Sequence, residues 1–171
     1  MKRKTIAVIL LLALLACAAC TARPGLEEGE YLLYFQTMDA DHHGPALEGE
    51  PWSPAEPDAP VEAEELLRAL LAGPTKEGLV SPFPRGVGLN RVEWESEGKL
   101  KVRLSEAYSG LSDIALTLAD YSIVLTLSQL EGVELVEIQT VGYSSNYRSH
   151  QVLRAEEALI SDPLLPEDSS P

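Results

Sequence analysis

Between Tyr31 and Gly142 the spacing of apolar residues changes period several times, and that succession restricts the chain to a mixed α and β fold. Tyr31-Leu-Leu-Tyr-Phe35 is a β-prone run of the length of a buried strand. Ala63, Leu66, Leu67, Leu70 and Leu71 then recur at i, i+3, i+4, i+7 and i+8, which places one apolar stripe along a helix. Asp58 or a neighbour caps it, Pro60 suits its first turn, and Glu62, Glu64 and Glu65 complement the positive end of the helix dipole. Gly73-Pro74 ends it. Next, Val92 and Trp94 alternate with Glu93 and Glu95, while Leu100, Val102 and Leu104 alternate with Lys99, Lys101 and Arg103. With Glu95-Ser-Glu-Gly98 as the turn, this predicts a hairpin with acids outward on one strand, bases outward on the other, and a register fixed by cross-strand pairs.

A second helix is expected from about Ser112 to Leu130. Asp113, Thr117, Asp120, Ser128 and Glu131 keep near one polar stripe; Ile114, Leu116, Leu118, Tyr121, Ile123, Leu125, Leu127 and Leu130 cover the rest, as in a helix lying on a sheet. Val136 and Ile138 alternate with Glu137 and Gln139 in a last strand. The resulting class is α+β: a split βαββαβ order, ferredoxin-like, with one mainly antiparallel sheet carrying both helices on one face. The segment from Asp39 to Pro57, rich in Pro, Gly, Asp and Glu and without a period, reads as a long loop. Leu79 to Gly86 is a second loop, punctuated by Pro82 and Pro84. A length of 171 residues fits one domain over 31–142, preceded by a tether at 21–30 and followed by an edge segment and an acidic disordered tail over 143–171.

Residues 1–20 read as a leader. Lys2, Arg3 and Lys4 precede an apolar run, Ile6 to Ala16, shorter than the roughly 20 residues of a spanning helix. Ala16-Cys17-Ala18-Ala19-Cys20 then resembles a bacterial lipobox, whose cysteine is lipidated and becomes the mature N-terminus. Cys17 has leucine at −3 and alanine at −1 but a bulky −2 residue; Cys20 has small residues at −1 and −2 but an unusual −3 residue. Either cysteine is therefore a candidate for lipid attachment, with Cys17 slightly favoured over Cys20; the alternatives are a plain secretory peptide or an uncleaved anchor. The expected location is the extracytoplasmic face of the cell membrane. Both cysteines lie in the leader, so residues 21–171 hold no disulfide and no zinc site that uses cysteine. With 27 acidic and 13 basic side chains the net charge is −14, and loss of the leader would carry it to about −17. Such a surface repels phosphate backbones, which excludes a nucleic-acid partner.

Candidate chemistry is sparse. Asp39, Asp41, His42 and His43 are metal-ligating types, but adjacent histidines in a strand point to opposite faces and no His-x-x-x-His spacing occurs, so the cluster reads as a solvated loop. His150 stands alone. Ser105 lacks a Gly-x-Ser-x-Gly elbow and reads as a turn-making serine; Gly86-Val-Gly88 lacks the lysine and third glycine of a phosphate loop. The many carboxylates read as solvated faces rather than acid–base pairs. No catalytic residue, metal or cofactor is assigned, and the chain is expected not to be an enzyme.

Several short motifs occur in order: Tyr34-Phe35, Leu70-Leu71-Ala-Gly73-Pro74, Pro84-Arg-Gly86-Val-Gly88-Leu89, Gly98-Lys-Leu-Lys-Val102-Arg-Leu104-Ser105, and Ile123-Val124-Leu-Thr126-Leu127 before Gly132-Val133. Together they resemble the GerMN domain of the GerM-type sporulation and spore-germination lipoproteins. The pattern departs at Val87 or Gly88, where the family often has threonine, and the chain has room for one domain where members with a sporulation role carry two. The resemblance implies a membrane-tethered extracytoplasmic domain, related to ring-building modules, with envelope proteins as partners; it brings no catalytic residues. A different reading is capture of a small ligand or cell-wall glycan, with the loop from Asp39 to Pro57 and its Trp52 over a groove.

Overall fold

The computed structural model describes residues 26–27, 29–38, 45–56, 59–140 and 150–158. The leader with Cys17 and Cys20, most of the tether, Asp58, the Asp39 to His43 cluster and the acidic tail lie outside the described residues. The elements are β1 (Tyr31–Thr37), β2 (Leu47–Trp52), α1 (Ala63–Ala72), β3 (Leu79–Val80), β4 (Leu89–Ser96), β5 (Lys99–Leu104), a 3-10 turn (Glu106–Gly110), α2 (Asp113–Leu127), β6 (Leu135–Thr140), β7 (His150–Leu153) and a second 3-10 turn (Ala155–Glu157). The α+β class, mainly antiparallel with two helices, is as the periodicity predicts, and β7 lies within the expected edge segment.

The single sheet expected from the pattern is instead two. One has the order β2-β1-β3 and the other β4-β5-β6-β7; β5 and β6 run parallel, joined through α2, and all other neighbours are antiparallel. The reason lies on one side of β1. Leu32 N–H donates to Gln129 Oε1 at 2.9 Å, Gln129 Nε2 donates to Leu32 O at 2.7 Å, Tyr34 N–H donates to Thr126 Oγ1 at 3.2 Å, and Ser122 Oγ donates to Tyr34 O. Polar side chains of α2 and the turn after it thus occupy the ladder that another strand would have used. Only at Gln36 and Thr37 does β3 take over that side.

The loop assigned to Asp39–Pro57 is also corrected, because it contains β2. Pairing from Tyr31↔Trp52 to Gln36↔Leu47 satisfies one side of the β1 backbone, and this outweighs the low strand propensity of Leu-Glu-Gly-Glu-Pro-Trp. Gly49 suits this close approach: a Cβ at that position would sit 3.1 Å from Leu32 side-chain atoms, which would have to give way. Glu50, buried, accepts from Thr75 N–H at 3.0 and 3.1 Å and from the Thr75 hydroxyl, and Lys76 pairs with Glu48. These bonds tie β2 to the chain just beyond α1, where Gly73-Pro74 ends the helix as expected.

Between the elements, Leu66, Leu67 and Leu70 of α1, Leu100, Val102 and Leu104 of β5, and Ile123, Val124 and Leu127 of α2 form one core with Phe35 and Val136. The stripe on α1 and the alternation on β5 behave as read. The reading of α2 needs correction: Asp120 is buried and accepts from the Tyr108 hydroxyl at 2.6 Å, whereas Ile114 is 76% exposed. Burial, and secondarily the Asp120 charge, pushes the Tyr108 phenol well above its ordinary pKa, so it stays a donor.

Two substitutions test this arrangement. Leu70→Asp places a charge at a fully buried site and is expected to abolish cooperative thermal melting. Thr126→Val keeps the shape but strands Tyr34 N–H, for an expected loss of about 1–3 kcal/mol in chemical denaturation, whereas Thr117→Val on the exposed side of α2 should stay within about 0.5 kcal/mol of the parent.

Candidate functional site

Two surfaces of the four-stranded sheet concentrate the exposed chemistry. On the face away from the core, Glu93 of β4 stands opposite Lys101 of β5, which stands opposite Glu137 of β6. Lys99 joins Glu95 at 2.6 Å and also Glu137; Lys101 joins Glu95 and reaches Glu137 at 3.5 Å. Arg91 and Arg103 hold the two oxygens of Glu93 at 2.8 and 3.4 Å. The expected pairing of acids on one strand with bases on the next is present, and β6 extends it. Glu137, read from alternation as solvent-facing, is only 1% exposed beneath its lysine neighbours. Hydrogen bonds from Lys101 and then Lys99 pull the Glu95 carboxyl from its ordinary 4.5 down to about 2. Reciprocally, the Lys99 ammonium is raised by Glu137 and then Glu95, and the Lys101 ammonium chiefly by Glu95. These charges are committed to one another, which makes the face a structural brace.

The second surface lies at the sheet's edge. β4 ends the sheet, and the groove of about 500 Å3 between it and the start of α1 is lined by Glu62, Ala63, Glu64, Glu65, Arg68, Val92, Glu93, Trp94 and Leu100. Alternation predicts Trp94 inward beside Val92. The structure places it on that face, opposite Leu100, yet 53% exposed in the wall of the groove. Arg68 is tied to Glu64 through Nε at 3.0 Å and Nη2 at 2.7 Å. The carboxylates of Glu62 and Glu65 have no hydrogen bond or ion pair among the described residues, and both residues are exposed.

The other residues singled out by sequence are placed as follows. Ser105 Oγ accepts from Gly88 N–H at 2.9 Å and donates to Gly86 O at 3.3 Å, so it pins the Pro84–Gly88 turn, as a turn-making serine does. Trp52 ends β2 and packs on Tyr31, with ring centroids 6.4 Å apart. Among the described residues no three His, Cys, Asp or Glu side chains gather to hold a metal ion. Among them, too, no helix is long and apolar enough to cross a membrane.

A strand-and-helix frame of this kind, spanning nearly the whole described chain, can be compared with known proteins. The family model described as Germane, sporulation and spore germination, matches residues 32–145. The chain belongs to that family. Its fold is similar to the tandem GerMN domains of the sporulation protein GerM from Bacillus subtilis, with a TM-score of 0.52 and 21% identity over 73% of this chain and 44% of that one. It is also similar to the first GerMN domain of that protein, with a TM-score of 0.51 and 16% identity over 67% of this chain and 84% of the other. At such identities the likeness is one of fold. No curated protein matches the chain in sequence. The Germane chain therefore carries a single GerMN-type domain and spans less than half of the tandem structure.

The charge brace has a measurable pH signature. Because the Glu95 pKa is depressed in the folded state, its contribution to stability is fully present above about pH 4.5 and is lost as pH falls from there through about 2. Glu95→Gln is expected to flatten the decline in denaturation midpoint over that acid window while lowering stability at pH 7. The two lysines act at the opposite end, with their contribution lost only as pH rises beyond about 10.5.

Proposed function

We propose that this Germane chain is a non-catalytic, lipid-anchored domain on the extracytoplasmic face of the cell membrane, where it helps assemble or stabilise an envelope protein complex of sporulation or germination. The observation that carries the proposal is the distribution of exposed chemistry on a GerMN-type fold. The charged residues of the outer sheet face and the buried Asp120 and Glu50 are consumed by internal bonds. The edge of β4 with its exposed indole is left for contact. Sheet edges and exposed aromatics are what protein partners use. Lipid on Cys17 or Cys20 supplies the tether, since a diacylglyceryl group gives the two chains that stable anchoring needs.

Two measurements test the two halves of this proposal. The intact mass of detergent-extracted protein should show a lipidated N-terminal cysteine, and replacing both Cys17 and Cys20 with Ser should release the domain or leave an unprocessed precursor. An unmodified mature form beginning at Thr21 or Arg23 would refute the anchor. Mild crosslinking in membranes of the native organism should capture an envelope protein on the parent chain; capture of none would refute the assembly role.

A further inference from the structure

We propose that the groove between α1 and β4 is the docking site for an extended, lysine- or arginine-bearing segment of a protein partner, which runs along the open edge of β4 and lays a cationic side chain over Trp94. The proposal deepens the assembly reading and rests on it. β4 has β5 on one side and, among the described residues, no strand on the other; its register shifts between Leu89 and Arg91 and between Trp94 and Ser96, so the regular edge that a chain can lie beside is Arg91–Trp94.

Charge selects the occupant. The positive end of a helix dipole ordinarily favours an anion, but the start of α1 carries Glu62, Glu64 and Glu65. Of these three only Glu64 is paired, with Arg68, and Glu93 across the groove is held by Arg91 and Arg103. Glu62 and Glu65 therefore leave a net negative rim beside an indole that is 53% exposed. An aromatic face next to carboxylates attracts an ammonium or guanidinium with an apolar stem, by cation–π attraction and by burial of the stem. A second copy of the chain is disfavoured, because each copy carries a net charge of −14 and would bring the same negative rim. An anionic segment would be repelled for the same reason.

The test uses the full mature chain and a fluorescein-labelled eight-residue peptide of alternating Val and Lys, with alternating Val and Glu as the control. Anisotropy should report binding of the lysine peptide that weakens as salt rises, and no binding of the glutamate peptide. Trp94→Ala should weaken binding about tenfold or more while the chain still melts cooperatively, as expected for a half-exposed aromatic anchor. Glu62→Gln and Glu65→Gln should each weaken it about two- to fivefold and flatten the salt dependence. Equal binding of both peptides, or parent-like binding by Trp94→Ala, would overturn the proposal. So would a Trp94-dependent dimer in sedimentation, or a response of Trp94 to muropeptides in place of the lysine peptide. Crosslinking separates this failure from that of the assembly role. A partner captured equally by the parent and Trp94→Ala overturns the groove alone, whereas no partner on either refutes assembly.

Discussion

The fold depends on a helix that stands in for a strand. Along an extended chain the inward-facing N–H and C=O groups recur every second residue, about 6.8 Å apart. Four residues of helix advance about 6 Å, so polar side chains at i and i+4 fall almost in step with that repeat. Ser122 and Thr126, one turn apart, bond the C=O and the N–H of Tyr34, and about one turn further on the longer Gln129 reaches both backbone groups of Leu32, two residues along the same side of β1. Apolar residues at these positions would leave four buried backbone groups of β1 without partners, and each would forfeit about 1–3 kcal/mol. This is why a helix surrounded by leucines keeps two fully buried hydroxyls, Ser122 and Thr126.

Once α2 occupies that side of β1, the remaining architecture follows. β1 cannot continue into the four-stranded sheet, so β2 and the two-residue β3 complete a separate sheet around it. The four-stranded sheet turns one face to the same core and braces the other with interlocked charges from Glu93 and Glu95 across Lys99 and Lys101 to Glu137. Packing from one side and electrostatics from the other hold β4 in place even though it borders solvent. That rigidity matters for an exposed edge, because a fixed indole loses less freedom on contact than one on a loop.

Much of this was legible where one physical rule governed a segment. The leucine stripe of α1, the Gly73-Pro74 stop, the outward charges of the hairpin and the apolar alternation of β6 all follow from local periodicity. The unreadable parts are those decided by distant residues. β2 has apolar residues only near its ends and is a strand because β1 offers it a ladder and Leu32 needs the space above Gly49. Ser122, Thr126 and Gln129 look like ordinary interruptions of an oily helix until β1 lies across them. Trp94 satisfies the alternation; its exposure depends on how it stands against the start of α1, which no property of the hairpin encodes. The charges of the outer face were read correctly in sign and pairing, but the depth of Glu137 depends on two lysines from the neighbouring strand folding over it.

The bonds from β1 to α2 and the turn after it join residues 88 to 97 positions apart. The first strand of the domain therefore waits for nearly the last helix before its backbone is satisfied, and the loop closed in doing so is among the longest the domain allows. A chain delivered N-terminus first, whether by a ribosome or through a narrow channel, exposes Tyr31–Thr37 long before Gln129 emerges. During that interval β1 has only β2 and the two-residue β3 to pair with, and a hairpin with so short a third strand is marginally stable in water. The same bonds that lock the finished domain thus keep the nascent one loose, and so threadable, until most of it has passed.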